Sequence, residues 1–195
     1  QSAAPTATTS AKGITSAPYK VGDYYNDGTK EGVVFEFSAD GKHGKIVSMT
    51  QSSEDLQWSS DGAERRRLIG ADSMTDGAYN MAKVKAVANW QKKYPAFKWC
   101  ADLGEGWYLP SIEELERFTL DNAVHDAVNR TLTAKGGEKL FNRGDRDKCY
   151  WSSTESDYPW SSGEFFALDV DMNDGNTYLD DKRSYSYYVR AVAKF

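Results

Sequence analysis

The fold of this chain is decided by residues 106–115, Gly-Trp-Tyr-Leu-Pro-Ser-Ile-Glu-Glu-Leu. An aromatic, strand-like run ends at a proline, and the residues after it predict a helix. Ser111 and Glu114 have the Ser-x-x-Glu spacing of a capping box, in which each side chain binds a backbone N–H that the first helical turn leaves unpaired. Two aromatic segments follow, Tyr-Trp-Ser-Ser-Thr-Glu at 150–155 and Tyr-Val-Arg-Ala-Val at 188–192. Together the three segments indicate a binding scaffold rather than a set of catalytic residues.

Composition and charge limit the classes of protein to which the chain can belong. Its 195 residues suit one domain, or one domain with a tail. Twelve Tyr and six Trp outnumber eight Phe, and such amphipathic rings suit half-exposed binding surfaces, although strands also favour them. A net charge of −5 argues against a nucleic-acid binder, which would carry a basic stripe. No segment approaches the length of a membrane-spanning helix, so we expect neither a nucleic-acid partner nor a transmembrane segment.

Residues 1–18 differ in composition from the rest of the chain. They are mainly Ala, Ser, Thr and Pro, which cannot build a hydrophobic core. They also lack the charged and apolar regions of an intact signal peptide. We therefore predict a flexible tether over residues 1–18 and a folded domain over residues 19–195, and we leave open a lipid or domain anchor upstream of the tether.

The predicted elements of the first two thirds of the chain are a hairpin and three helices. Strands at 32–37 and 45–50 flank an Asp-Gly turn, which is a strong hairpin signal. Apolar periodicity and capping residues then predict helices over residues 76–93, 111–120 and 122–134. Pro95 is expected to close the first helix and Gly136-Gly137 the third.

The last third of the chain is predicted to be β structure. Candidate strands span residues 149–154, 164–171, 175–180 and 186–194, with an Asn173-Asp174-Gly175 hairpin turn between the middle two. A hairpin, then helices, then an antiparallel β meander are typical of the α+β class.

This C-terminal part is also strongly acidic. Residues 155–181 contain eight Asp and Glu, several aromatic residues, and no Lys or Arg. Rings stack on the apolar faces of sugars and carboxylates bind cations or hydrogen-bond donors, so the surface suits a cationic or sugar-like partner. The alternative is that the charges only keep the protein soluble. Ligand contacts are predicted at Asp157, Tyr158, Trp160, Asp171, Asn173, Tyr178, Asp180 and Arg183.

The sequence lacks the motifs of metal sites and of common enzymes. Residues 169–175 resemble a calcium loop, but an EF-hand needs Gly at its sixth position, where Asp174 stands. There is no nucleophile elbow, P-loop, zinc-protease helix or dinucleotide fingerprint. His43, in a predicted turn, and His125, on a predicted helix, are interpreted as surface or packing residues. We therefore expect no metal, no cofactor and no enzymatic activity.

The two cysteines, Cys100 and Cys149, lie far apart, which excludes a Cys-x-x-Cys motif. In a secreted protein they could form a disulfide, and closing a loop of that length would stabilise the fold by roughly 4 kcal/mol. The alternative is a pair of free, buried thiols. The disulfide is the favoured prediction.

The three segments belong to a longer pattern, which also includes Gly32–Phe37, residues 43–48, Trp58, Asp76-Gly77-x-x-Asn80 and Cys100. In this order the pattern resembles a large group of bacterial surface domains of unknown function with a C-type lectin-like fold, including versions from Bacteroides-type gut bacteria. Similar domains form the C-terminal ends of collagen-like adhesins of other bacteria and occur at the tips of some pili. Retroelement-diversified binding proteins use the same fold. The resemblance spans residues 19–195.

The resemblance implies a compact domain with its ligand contacts in the C-terminal loops and with Trp107 and Trp151 in the core. It implies a secreted or surface-anchored ligand-binding module, an adhesin or receptor-binding head in the outer envelope of a Gram-negative bacterium, with a protein or carbohydrate ligand. Calcium-dependent sugar-binding members carry a Glu-Pro-Asn motif that this sequence lacks, so that mode of binding is not implied. The alternatives are a structural component of a pilus or envelope, or an enzyme of the sulfatase-modifying type.

Overall fold

The computed structural model describes residues 19–60, 62–158 and 165–195, which form a mixed α+β fold, as the sequence predicted. The strands in these ranges are β1 Tyr24–Asn26, β2 Glu31–Phe37, β3 Gly44–Gln51, β4 Leu56–Gln57, β5 Trp107–Tyr108, β6 Cys149–Ser156, β7 Phe166–Asp171, β8 Asn176–Asp181, β9 Ser186–Tyr187 and β10 Arg190–Lys194. The helices are α1 Gly77–Lys85, α2 Trp90–Lys93, α3 Pro95–Asp102, α4 Ile112–Thr119 and α5 Asn122–Ala134. Within the described residues, no helix is both long enough and apolar enough to cross a membrane.

The largest sheet contains five strands in the order β1-β2-β3-β10-β5, and all neighbours are antiparallel. The position of β10 between β3 and β5 lets Val192 pair with Val47 on one side and with Tyr108 on the other. The C-terminal strand therefore joins the predicted N-terminal hairpin to the aromatic run of residues 106–115.

A second, three-stranded antiparallel sheet has the order β6-β7-β8. Its hairpin turn lies at residues 173–175, as predicted, and Gly175 adopts the positive φ of 75° that such a turn requires. The predicted strand 186–194 is wrong, because it is divided into β9 and β10. Between them the Val189 N–H leaves the sheet pattern and donates to Ser52 Oγ at 2.9 Å.

The predicted first helix, 76–93, is also wrong in its extent. α1 ends at Lys85, and Asn89 then adopts a left-handed φ of 58°, which no helix can continue through. Pro95 does not close a helix but begins α3. Proline is favoured at a first helical position because its missing N–H has no intrahelical partner there.

The capping box predicted at the start of α4 is confirmed. The Ser111 hydroxyl accepts the Glu114 N–H at 3.3 Å, and the Glu114 carboxylate accepts the Ser111 N–H at 2.9 Å. α5 has the predicted bounds, and Gly136 with a φ of 74° follows its end. The local capping residues therefore predicted both α4 and α5 correctly.

The aromatic segments of the sequence pattern lie in the core. Trp107 and Trp151 are buried, as the resemblance implied, and Trp58 is buried with them. The Trp151 indole N–H donates to the Leu56 carbonyl at 2.8 Å, and that of Trp58 donates to the Ser152 carbonyl at 2.9 Å. Both indole groups are thereby satisfied, which buried tryptophans require.

The polar residues of the 150–155 segment tie the helices to the second sheet. Ser153 Oγ accepts the side-chain amide of Asn80 at 3.0 Å, and Thr154 Oγ1 accepts the N–H of Ile112 at 2.9 Å. α1 and α4 are therefore both anchored to β6. These side chains are buried, so their role is structural.

Glu155, the last residue of the same segment, forms a buried ion pair with Lys182. Lys182 Nζ lies 2.5 Å from Glu155 Oε2 and 4.6 Å from the centroid of the Trp58 ring. The other carboxylate oxygen accepts the N–H groups of Ile69 and Gly70, at 2.9 and 3.0 Å. The pair thus fastens the segment before α1 to the second sheet.

The predicted disulfide is wrong, because Cys100 and Cys149 are both free thiols. Cys100 is buried in α3, whereas Cys149 is half-buried at the start of β6. Burial raises the pKa of the Cys100 thiol well above its usual range. The alternative of two free thiols therefore holds, although of the two only Cys100 is fully buried.

Candidate ligand-binding site

One face of the second sheet gathers acidic side chains. Asp169 and Asp171 are two residues apart on β7 and therefore point to the same side. Residues directly opposite each other share a face, so Cys149, opposite Asp171, and Tyr178, opposite Asp169, lie on it as well. Asp180 joins them opposite Ala167, whose position on β7 has the same orientation as Asp169. We call Asp169, Asp171, Asp180, Cys149 and Tyr178 the acidic face.

Tyrosines from β9 and the turn before it border the acidic face. The ring of Tyr187 packs on Trp151 with 4.6 Å between centroids, and its hydroxyl donates to Asp180 Oδ2 at 2.5 Å. Burial and the Asp180 carboxylate raise the pKa of Tyr187, so its hydroxyl stays protonated. Tyr185 stacks on Tyr187 at 5.9 Å and is 48% exposed.

Asp169 is the most unusual group on this face. Its side chain is only 1% exposed. Burial, then the charge of Asp180 and a side-chain hydrogen bond with it, and last the charge of Asp171 raise the pKa of Asp169 to about 9. Strongly perturbed carboxyl groups of this kind concentrate at functional sites.

A surface cavity of about 540 Å³ opens beside Asp171. It is lined by Arg146, Asp147, Cys149, Asp171, Asn173, Tyr185, Ser186 and Tyr187. Asp147 holds a left-handed φ of 58°, which is uncommon outside glycine and often marks functional positions. Burial and the Asp171 carboxylate raise the pKa of the Cys149 thiol, so this cysteine is a weak nucleophile.

The structure divides the predicted contact residues into separate groups. Asp171 and Asn173 line the cavity, and Asp180 and Tyr178 lie on the adjoining acidic face. The Tyr178 hydroxyl donates to Asp174 at 2.6 Å, so its ring stands beside the 173–175 turn.

The other predicted contacts are not brought to this cavity. Asp157 and Tyr158 follow the far end of β6, roughly 25 Å from Cys149 at the rise of an extended strand. Asp157 lines a different cavity, of about 490 Å³, with the apolar side chains of Leu68 and Met74. Arg183 is exposed in the turn after β8. Trp160 lies outside the described residues.

Sequence reasoning missed Asp169, Tyr185 and Tyr187 as members of the site. Each is two positions from another member of the site: Asp169 from Asp171, and Tyr185 from Tyr187. That spacing places side chains on one face of an extended segment. That spacing was visible in the sequence, but the pairing of β7 with β8 and the packing of Tyr187 from β9 against this sheet were not.

No group of three or more His, Cys, Asp or Glu in the described ranges is placed to hold a metal ion. His43 is exposed in its hairpin turn. His125 is buried on α5, and its Nε2 lies 2.9 Å from the Phe141 carbonyl oxygen, as expected for a packing residue.

The comparisons with known proteins identify the family. The family model for the Lcl C-terminal domain matches residues 48–193, so the chain belongs to that family. A similar fold occurs in the crystal structure of a fimbrial protein from Bacteroides ovatus, with a TM-score of 0.61 and 18% identity. The match covers 91% of this chain and 49% of the fimbrial chain, so this protein spans about half of that one. At this identity the likeness shows the fold alone. No curated protein matches the sequence.

Proposed function

We propose that this chain is a ligand-binding head carried on the bacterial cell surface or secreted from it. The observation that carries the proposal is the cavity beside the acidic face, which is lined by the half-exposed Tyr185 and by the carboxylates of Asp147 and Asp171. Exposed aromatic rings beside charged groups are the residue types that dominate binding surfaces. The adhesin function expected from the sequence and the fold shared with the Bacteroides ovatus fimbrial protein both agree with a place on the cell surface.

A division between framework and binding surface supports the proposal. The residues of the 106–115, 150–155 and 188–192 segments are mostly buried and hydrogen-bonded to one another or to neighbouring strands. Such segments maintain a fold while the exposed loops between them vary in chemistry. We also propose that the fold is C-type lectin-like, because the first and last strands share one sheet and the C-terminal meander carries the cavity.

The test is a binding screen on arrays of glycans and host extracellular proteins. Tyr185→Ala removes the exposed ring of the cavity and is expected to abolish the signals that the wild type gives. Tyr79→Ala is the matched control, because Tyr79 is 45% exposed on α1 and does not line the cavity. If Tyr185→Ala binds every ligand as the wild type does, the proposed surface is not the binding site.

A second candidate function is a structural subunit of a fimbria. It is favoured by the fold likeness to the Bacteroides ovatus fimbrial protein. In that case the native protein should be isolated within a polymer that resists dissociation. A native protein recovered only as a soluble or singly anchored chain would favour the receptor-binding head.

We propose that the chain is not an enzyme of the sulfatase-modifying type. That chemistry needs reactive thiols, whereas burial raises the pKa of Cys100 and, with Asp171, that of Cys149. Both thiols are therefore protonated at neutral pH and react slowly. Thiol-dependent oxidase activity in the purified protein would contradict this proposal.

A further inference from the structure

We infer that the Nζ atom of Lys182 and the side-chain carboxyl group of Glu155 condense, with release of water, into an intramolecular isopeptide bond. The inference goes beyond ligand binding, because it assigns a covalent modification to a buried pair that does not line the cavity beside the acidic face. The bond ties the end of β6 to the turn after β8. A domain whose two cysteines are free thereby gains a cross-link that needs no disulfide.

The two reacting groups are in contact and shielded from water. Lys182 Nζ lies 2.5 Å from Glu155 Oε2, and the exposed fractions of the two side chains are 0% and 1%. The centroid of the Trp58 ring lies 4.6 Å from the same nitrogen. Because Oε2 is bonded to Cδ, the nitrogen stands at about the 3–3.5 Å from which attack on a carbon atom begins. The fold therefore holds the amine against the carbon with which it reacts.

Two backbone N–H groups polarise the carboxyl group for this attack. Glu155 Oε1 accepts the N–H of Ile69 at 2.9 Å and the N–H of Gly70 at 3.0 Å. When the amine adds to Cδ, negative charge collects on this oxygen. Donors that already point at the oxygen stabilise that charge without reorganisation, as an oxyanion hole does. The same two N–H groups can bind the amide oxygen of the product.

Burial favours the neutral forms that the reaction needs. An ammonium group has no free electron pair, so the nucleophile is the neutral amine of Lys182. Loss of hydration lowers the pKa of Lys182, although the nearby carboxylate of Glu155 opposes this effect. Transfer of one proton from Nζ to Oε2, along their contact, gives the neutral amine and the protonated carboxyl group together. Two neutral groups cost less to bury than two charges.

The step is balanced without an oxidant or a cofactor. The electron pair of Lys182 Nζ forms the bond to Glu155 Cδ, and the electrons of the C=O double bond move to Oε1. The nitrogen then gives up a proton to the Oε2 hydroxyl, which leaves as water while the double bond to Oε1 forms again. One amine and one carboxylic acid thus become one amide and one water molecule.

The position of the bond gives it a mechanical consequence. It closes residues 155–182 into a ring that contains β7 and β8, the strands that carry most of the acidic face. A covalent cross-link limits the conformations of the unfolded chain, as a disulfide does. The two strands therefore stay joined to β6 even when the surrounding structure opens.

The experiment is mass spectrometry of the full chain after denaturation, followed by peptide mapping. The wild type should weigh one water molecule less than its sequence. Trypsin should not cleave after Lys182, whose ammonium group is lost, and should release residues 149–183 as one peptide that lacks one water. Chymotrypsin cuts at aromatic residues between the two partners and should leave Glu155 and Lys182 in one branched product. The full sequence mass, with normal cleavage after Lys182, would overturn the inference.

Two variants make the test specific. Lys182→Met should have the full mass of its sequence, and a Lys182→Met chain that still lacks one water would place the loss elsewhere and overturn the inference. Lys98→Met is the matched control, because it removes a lysine from an exposed ion pair with Asp102 and should keep the wild-type loss of water. The peptide map of the wild type decides the question even if Lys182→Met does not fold.

A different loss of water must be distinguished from the bond. Asp-Gly sequences such as Asp174-Gly175 lose one water when they form a succinimide. A succinimide opens again at alkaline pH and leaves the amine of Lys182 free, whereas the isopeptide bond persists. Acetylation of the denatured chain at alkaline pH should therefore modify every lysine except Lys182. An acetylated Lys182 would contradict the bond.

The mass measurement is independent of stability and of ligand binding. Loss of Lys182 destabilises an ion pair and an amide alike, so unfolding curves do not distinguish the two, whereas a missing water molecule does. The array experiment with Tyr185→Ala tests the proposed binding surface and is unaffected by the state of this pair.

Discussion

Replacement of Lys182 by methionine should destabilise the fold strongly, because it removes one partner of the buried ion pair. Lys182 is fully buried, and its loss leaves the Glu155 carboxylate inside the protein without its counter-charge. Breaking such a pair costs about 3–5 kcal/mol. Glu155 keeps the N–H groups of Ile69 and Gly70, which still stabilise its charge. We therefore expect the lower end of that range, about 3 kcal/mol, or a fall in Tm of about 6–12 °C.

Urea unfolding followed by tryptophan fluorescence and circular dichroism measures this change. Lys98→Met is the matched control, because Lys98 pairs with Asp102 on the exposed side of α3, where an ion pair contributes about 0.5 kcal/mol or less. The double variant Lys182→Met with Glu155→Gln should recover part of the loss, since it leaves no unpaired charge. A Lys182→Met variant as stable as Lys98→Met would refute the structural role assigned to the pair.

Three further predictions concern stability and thiol chemistry. Because the folded-state pKa of Asp169, about 9, lies above the ordinary 3.8, the folded state retains a proton that the unfolded state has lost. The unfolding free energy should thus fall as pH rises from about 6 to about 8, by up to about 1.4 kcal/mol per pH unit relative to Asp169→Asn; parallel urea curves for the two proteins would contradict this. Thiol titration of the unreduced, denatured protein should count two free thiols, Cys100 and Cys149, and a count of zero would restore the disulfide. Gly77→Ala should cost about 3 kcal/mol or more in a thermal melt, since its Cβ would lie 2.5 Å from the Leu109 carbonyl oxygen; an unchanged melt would show that this contact relaxes freely.

The elements that the sequence predicted well are those set by local chemistry. The capping box at Ser111 and the left-handed glycine after α5 act within one helical turn, so their residues alone specify where these helices begin and end. The hairpin of β2 and β3 was predicted for the same reason, since its Asp-Gly turn joins two apolar runs.

The errors arose where contacts between distant parts of the chain determine the local structure. Apolar periodicity runs through residues 76–93, yet Asn89 turns left-handed and the helix breaks. The divided strand at 186–194 depends on Ser52, which binds Val189 from the other end of the sequence. A disulfide needs two cysteines whose Cα atoms are close, and sequence spacing carries no such information.

The candidate site was predicted in part. The acidic, aromatic character of residues 155–181 indicated the right sheet, and Asp171 and Asn173 line the cavity. Only the strand register shows that Asp157 lies at the opposite end of β6 and that Tyr187 from β9 reaches Asp180. Pairing between strands is non-local, so a single sequence does not reveal it.

The most direct test of the account is hydrogen–deuterium exchange of the protein bound to the strongest ligand found on the arrays. If the 106–115, 150–155 and 188–192 segments form the framework and the acidic face binds, added protection should appear in β7 and in residues 176–187, which include β8 and β9. The 106–115 segment should exchange as it does in the free protein. Protection centred on that segment or on the β1-β2 edge, with the acidic face unchanged, would contradict the account.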